Sequence, residues 1–301
     1  VLLEAKNVYA GVDTYRPIKA FSSVSNALDA EFLGGGSFIS STGTAYLLAG
    51  TANKLESLGS GTWSDKLTAL SITDRWKFAQ FGNFVVCVNG DATQEFDLSG
   101  GTASALTGAP EGIDVAVVGQ FVVIAQPDGN RLKVAWSAVD DHTGWTIGTN
   151  SAGDNIFHDG GEVMGVVGGE FGVVFQRFAI TRMNLTGDAS APFVFDQLTR
   201  NYGCASKASI VSAGNTAFWL SDRGFMGIDD GQDMRPIGTE KVDRAFARAL
   251  PTDDNERIFT AVDPSNKLVM WGIPGTPGSI WIYNWELQRW TTAEFSFSGI
   301  M

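Results

Sequence analysis

Phe78-Ala79-Gln80-Phe81-Gly82-Asn83-Phe84-Val85-Val86-Cys87-Val88-Asn89-Gly90-Asp91 is the stretch that decides the fold. An apolar run is followed by a Gly-Asn step, a second apolar run and an Asn-Gly-Asp turn. Gly-Asn and Asn-Gly steps supply the positive φ angles of tight hairpins. Runs rich in Val and Phe fit the pleated, packed surface of a sheet. Gln94–Leu98 then reads as a third strand.

The same unit recurs along the chain. Upstream it is Ser37–Ser40, Thr42-Gly43, Thr44–Ala49 and Asn53–Leu58. Downstream come Val115–Val118, Gly119-Gln120, Phe121–Ala125 and Leu132–Ser137, then Met164–Val167, Phe171–Gln176 and Ala179–Leu185. Two more copies are Ile210–Ser212, Gly214-Asn215, Thr216–Leu220, Phe225–Asp229, and Ile258–Val262, Lys267–Gly272, a Pro-Gly loop, Ile280–Asn284. Short runs after the third strand, Gly144–Ile147, Phe193–Phe195 and Arg235–Ile237, are expected to be outer edge strands, where Pro is tolerated. The turns recur at roughly 40–50 residues, the period of propeller blades.

The expected fold is therefore all-β: a β-propeller of six to seven blades, each a three- to four-stranded antiparallel sheet. A pair of β-sandwiches is the competing reading, but it predicts no regular period. One helix is expected at Thr239–Leu250, with Val242, Phe246 and Ala249/Leu250 on one face, Thr239 as N-cap and Pro251 after its end. No linker composition interrupts the chain, so residues 1–301 read as one domain. Strand-like Ile18-Lys19-Ala20-Phe21, within a segment 1–28, is a candidate to close the ring against Trp290–Phe295 or to form an arm. The strand pattern Glu294–Ser298 runs up to Met301, so more chain is expected to follow.

Composition narrows function. The 301 residues carry 33 acidic and 21 basic side chains, a net charge of -12, with 36 Gly, 9 Trp, 2 His and 2 Cys. Such a chain is ill suited to wrapping DNA by neutralising phosphates. Two cysteines make neither a disulfide framework nor a zinc cluster. Cys87, between Val86 and Val88, is expected to be buried and inert, and Cys204, after Asn201-Tyr202-Gly203, the more exposed. No apolar run reaches the length of a membrane helix, and the first residues lack the pattern of a signal peptide. Asn184-Leu185-Thr186 is a sequon without a secretion signal to use it.

No constellation carries chemistry. His142 and His158 each lie beside an Asp, but no nucleophile or substrate group has a matching spacing, so both read as loop histidines. Asp229-Asp230-Gly231-Gln232-Asp233 lacks the alternating oxygens and closing Glu of a calcium loop. Gly34-Gly35-Gly36 and Gly168-Gly169 are not strand-to-helix junctions, so they lack a phosphate cradle. Ser221-Asp222-Arg223-Gly224-Phe225 resembles a sialidase Asp-box but lacks the residue between Ser and Asp. No catalytic residue, cofactor or metal ligand is expected.

The Trp-rich end, Trp271, Trp281, Tyr283, Trp285 and Trp290, reads either as packing between sheets or as an interface. Trp285–Trp290 is expected to be a tight connection between a third and a fourth strand. Trp285, Arg289 and Trp290, with Val242 and Phe246 of the helix, are the candidate interface residues.

The order of several segments resembles a known family. They are Gly50-Thr51-Ala52-Asn53-Lys54-Leu55, Arg75-Trp76-Lys77-Phe78-Ala79-Gln80-Phe81-Gly82, Ala135-Trp136-Ser137, Leu220-Ser221-Asp222-Arg223-Gly224-Phe225, Ile237-Gly238-Thr239-Glu240-Lys241-Val242-Asp243 and Ile282-Tyr283-Asn284-Trp285-Glu286. From about Tyr46 to Trp290 the chain is similar to the tail-nozzle, packaged-DNA stabilisation or tail-hub β-propellers of tailed bacteriophages. The resemblance implies a non-enzymatic virion protein, assembled in the host bacterial cytoplasm and located in the tail. It implies self-association, usually as a hexameric ring, below the portal and adaptor. Such a ring extends the channel, helps retain the genomic dsDNA and lets it pass at ejection without sequence-specific binding. An acidic wall would repel phosphates and make a non-adhesive conduit. The competing readings are a propeller interaction scaffold, although no WD-repeat signature recurs, and a propeller enzyme acting on glycans or using a quinone.

Overall fold

A computed structural model describes residues 5–19, 22–250 and 255–301. It divides into two compact units, residues 23–203 and residues 1–22 with 204–301. At the N-terminal end a small hairpin pairs β1 (Val8–Ala10) with β2 (Tyr15–Pro17).

The unit 23–203 holds four sheets. The first contains β3 (Phe32–Ile39), β4 (Ala45–Thr51), β5 (Leu55–Gly59) and β6 (Thr62–Leu67). The second contains β7 (Lys77–Phe81), β8 (Phe84–Val88), β9 (Gln94–Asp97) and β10 (Thr102–Ala105). The third contains β11 (Asp114–Val118), β12 (Phe121–Ala125), β13 (Lys133–Trp136) and β14 (Gly153–Ile156). The fourth contains β15 (Val163–Val167), β16 (Gly172–Gln176), β17 (Ile180–Leu185) and β18 (Phe193–Thr199).

The other unit adds two sheets to the hairpin. One contains β19 (Val211–Ala213), β20 (Thr216–Ser221), β21 (Gly224–Asp229) and β22 (Asp233–Pro236). The helix α1 (Asp243–Ala249) follows. The last sheet contains β23 (Phe259–Asp263), β24 (Leu268–Ile273), β25 (Gly275–Asn284) and β26 (Arg289–Phe297). All six four-stranded sheets are antiparallel meanders in strict sequence order.

The residues explain this arrangement. Gly82 and Gly119 hold φ of 58° and 56°, which an L side chain rarely adopts, and each turns a first strand into a second. Second strands are apolar and buried on both faces: every residue of β12 is buried. Outer strands such as β10 are mostly exposed and small or polar. Within the larger unit, β7 lies next to β3, β11 next to β7 and β15 next to β11; in the other unit β19 lies next to β23. Cores therefore form between consecutive sheets: Leu48, Trp76 and Phe96 between the first two, and Phe218, Trp271 and Tyr283 between the last two. Sheets packed face to face through their first strands are propeller blades, and their number among the described residues is six.

Several local expectations change. The outer strand of the third sheet is Gly153–Ile156, not Gly144–Ile147. Residues 138–152 instead form a loop tied by Trp145 Nε1 to the His142 carbonyl (2.7 Å) and Trp136 Nε1 to the Ser151 carbonyl (2.8 Å). The Pro-Gly loop before Ile280 is part of β25, since Gly275 already pairs with Phe297. The helix is shorter than Thr239–Leu250. The amides of Lys241 and Val242 both turn back to the Gly238 carbonyl, so helical bonding starts later, and Val242 takes the N-cap position without a side-chain cap. Pro251, Asp253, Asp254 and the pair Ala20-Phe21 lie outside the described residues. N-terminal pairing with the last strand does occur, further upstream than Ile18. Lys6 forms a parallel bridge with Thr292, with Asn7 N to Thr292 O at 2.6 Å and Thr292 N to Ala5 O at 3.0 Å.

Candidate docking site

The site is built around the β25–β26 turn. Asn284 Oδ1 accepts from the Leu287 amide at 2.8 Å, and its Nδ2 donates to the carbonyls of Ala10 and Asn266, both at 3.2 Å. One buried amide thus fixes the turn, the hairpin β1–β2 and the preceding strand connection. Beyond the turn, Trp290 stands opposite Tyr283 and Thr292 opposite Trp281. Directly opposed residues share a face of the pleat. Trp290 closes down on Tyr283 (4.9 Å), Phe225 (5.1 Å) and Trp271 (5.5 Å), and its Nε1 donates to the Ile237 carbonyl at 2.8 Å.

The helix meets that face. Asp243 anchors its start by accepting the Phe225 amide at 3.0 Å. Burial pushes this carboxyl above its usual range, while the Phe225 hydrogen bond opposes the shift. Gly224 and Gly238 leave room for the carboxylate, for a Cβ at either would run into it. Phe246 then packs edge-on against Trp281 (5.7 Å) and Phe225 (4.6 Å).

Between α1, β26 and the N-terminal residues Ala5 and Tyr15 lies a cavity of about 500 Å³. Trp281 and Trp290 line it together with Val242 and Ala245 of the helix, while Lys241, Gln288 and Arg289 supply its polar groups. No carboxylate lines it. Lys241 Nζ donates to the Gln288 carbonyl at 3.3 Å, and Arg289 is exposed. Trp281 Nε1 is buried and has no hydrogen-bond partner among the described residues. Thr291 Oγ1 is also unpartnered, but Thr291 pairs with Ile282 and so belongs to the opposite face of the sheet. The cavity is an aromatic socket carrying two cations in a chain of net charge -12.

The structure brings Val242, Arg289 and Trp290 together in this lining. Phe246 is 1% exposed and belongs to the core, so no partner can reach it without unfolding. Trp285 sits outside the socket, half-buried, with its ring 6.0 Å from Lys267 Nζ. Sequence reading missed the role of Lys241, which the helix start presents. It named Trp281 only as one of several aromatics, although the alternation Trp281-Ile282-Tyr283 places it on the Trp290 face.

Other candidates resolve into structure. His142 is buried, with Nε2 2.8 Å from Glu95 and its ring stacked on Phe84 at 4.4 Å. His158 is exposed. Asp229 in the acidic loop pairs with Arg235 and accepts from Thr216 Oγ1 at 2.9 Å. Cys87 is buried, and burial drives its thiol far above its ordinary pKa. Cys204 is not the exposed thiol expected: it is fully buried, its Sγ 3.0 Å from the Ser206 carbonyl, because Ala205 N bonds to Leu220 O and pulls the segment inward. Neither cysteine should react with a thiol reagent in the native protein, and titration in denaturant should release both.

No family model and no curated protein matches the chain. Solved structures do. The WD40 repeats of RRP9 align over 90% of this chain and 83% of theirs, with 7% identity and a TM-score of 0.52. The structure of U3-55K gives 7% identity and a TM-score of 0.51 over 90% of this chain and 84% of that one. The extracellular domain of the putative hybrid two-component system BT4673 from B. thetaiotaomicron gives 9% and 0.54, over 87% of this chain and 33% of that one. At such identity the likeness shows the fold, a β-propeller, and no more. No helix among the described residues is long and apolar enough to cross a membrane.

Proposed function

We propose that the chain is a non-enzymatic structural β-propeller of a tailed-phage virion, a tail nozzle or hub. In this reading copies of the chain form a ring, hexameric by family resemblance, beneath a portal–adaptor complex, and genomic dsDNA passes through without sequence recognition. One observation carries the reading: segments that hold the resemblance meet each other in space as packing joints. Trp76 Nε1 donates to the Thr51 carbonyl at 2.9 Å, and Gly50 leaves the space its indole fills. Phe225 N donates to Asp243, and Ile237 N donates to Phe225 O at 2.9 Å. The order of these motifs along the chain is then a packing grammar rather than a catalytic set.

The aromatic, cationic socket supports assembly through docking. A neighbouring copy has acidic side chains to spare, and both partners of such a contact come from one sequence. Arg289 is exposed and no described contact of the fold depends on it, so Arg289→Glu should leave folding intact and weaken ring assembly by at least about tenfold. Mass measurement by light scattering across a concentration series reads this out.

Negative-stain imaging of the purified chain, alone and with a portal–adaptor complex, tests the function. Rings or axial docking are expected. A persistent monomer that never docks overturns the reading and favours a non-enzymatic propeller interaction scaffold. Turnover of a glycan or of a dye-linked alcohol would favour an enzyme instead.

A further inference from the structure

The first sheet carries a cluster unrelated to the docking socket. Glu56 on β5 stands directly opposite Asp65 on β6. Like charges paired across strands destabilise a sheet. Asp29, in the segment before β3, joins them: one carboxylate oxygen from each of Asp29, Glu56 and Asp65 lies within 4.8 Å of the other two. Lys54 partly compensates. Its Nζ lies 2.5 Å from Asp29 Oδ2 and 3.2 Å from Asp65 Oδ2. No bond from Lys54 reaches Glu56. That residue is 2% exposed, and its Oε2 is buried without a hydrogen-bond partner among the described residues.

A buried, unpaired carboxylate oxygen is costly to leave bare. Three carboxylates against one ammonium leave two uncompensated charges in the cluster. We propose that Asp29, Glu56 and Asp65 form a binding site for a hard divalent cation of the calcium class, and that Lys54 is a tethered competitor for the same position. The donors are all oxygen, as such cations require. Asp29 and Asp65 are exposed, so water can complete the shell on that side, while Glu56 supplies the fixed inner ligand. The Lys54 side chain is 20% exposed and can turn its ammonium outward when the cation enters. Burial also pushes the Glu56 carboxyl above its ordinary range, with Lys54 opposing and the two aspartates adding to the shift.

Calcium chloride against sodium chloride at matched ionic strength tests the site, by calorimetric titration and by thermal melting of the full chain. Calcium should bind with a Kd of about 0.1–1 mM and raise the melting temperature by about 2–4 °C at saturation. Glu56→Gln should abolish both effects, and Asp65→Asn, at an exposed position, should do so if Glu56→Gln fails to fold. Lys54→Met should tighten binding by at least about tenfold, because it removes the competing charge. The proposal is overturned if wild type shows no calcium-specific binding, or if Glu56→Gln or Asp65→Asn retains it. None of these outcomes depends on ring assembly.

Discussion

Trp271→Ala should lower stability by about 3–5 kcal/mol, the usual cost of emptying a buried aromatic site. Trp271 lies on β24 with no exposed surface, between Phe225 at 4.6 Å and the stacked ring of Trp290 at 5.5 Å. Its Nε1 donates to the Ser209 carbonyl at 3.0 Å, so truncation also strips a buried acceptor of its donor. Neighbours cannot collapse into the gap easily, because Phe225 is itself wedged against Phe246 and Trp290. The loss should appear as a lower urea midpoint by far-UV circular dichroism, with each variant fitted to its own folded and unfolded baselines. The wall of the aromatic socket should loosen with it, since Trp290 loses its stacking partner. Trp271→Phe separates the two roles: it restores most of the filling, not the hydrogen bond, and should recover more than half of the loss.

The second large effect is expected at a residue with no side chain. Gly168→Ala should destabilise by about 1–3 kcal/mol or more, through overpacking against an atom that cannot rotate away. A Cβ at Gly168 would run into the backbone carbonyl of Val117, on the neighbouring sheet of the same unit. That junction is stitched by Gly169 N to Val117 O at 2.9 Å and Gly119 N to Gly169 O at 2.7 Å. Val118 and Gly169 form a parallel bridge there. Alanine must push the two sheets apart or break those bonds. Gly59→Ala is the matched control: nothing lies within 4 Å of its Cβ position, and its stability should change by no more than about 0.5 kcal/mol. Equal effects at both positions would refute the argument from close approach.

These junction glycines show how far the sequence could be read. Strand pairs joined by two-residue turns were legible, because Gly82-Asn83 and Gly119-Gln120 need a backbone that few residues supply. Outer strands were less so. Trp145 and Ile147 read as a strand by hydrophobicity, yet Trp145 is held by a bond to the His142 carbonyl and Ile147 is 64% exposed. Side-chain bonds to nearby backbone won over propensity there. The helix starts later than Thr239 for a similar reason: Thr239 has the chemistry of a cap, but the Lys241 and Val242 amides are already satisfied by the Gly238 carbonyl.

The socket was half visible. Trp290 and Arg289, read as interface residues by type alone, both line the socket, while Phe246 carries the same signal and turns inward. Burial of that ring depends on Trp281, which arrives 35 residues later through β25. The carboxylate cluster was not visible at all. Glu56 is one of 33 acidic residues, and only the placement of Asp29 and the pairing with Asp65 distinguish it.

The N-terminal pairing has a mechanical consequence. Residues Ala5–Asn7 run parallel to β26, bonded through Asn7 N–Thr292 O, Thr292 N–Ala5 O and Glu294 N–Asn7 Oδ1, with Lys6 bridging to Glu294 at 2.6 Å. In a parallel pair, tension applied through residues before Ala5 and after Phe297 pulls the two segments along one another. The bonds then carry the load side by side, in shear, instead of opening one at a time. A latch of this geometry holds under brief force yet releases as a unit.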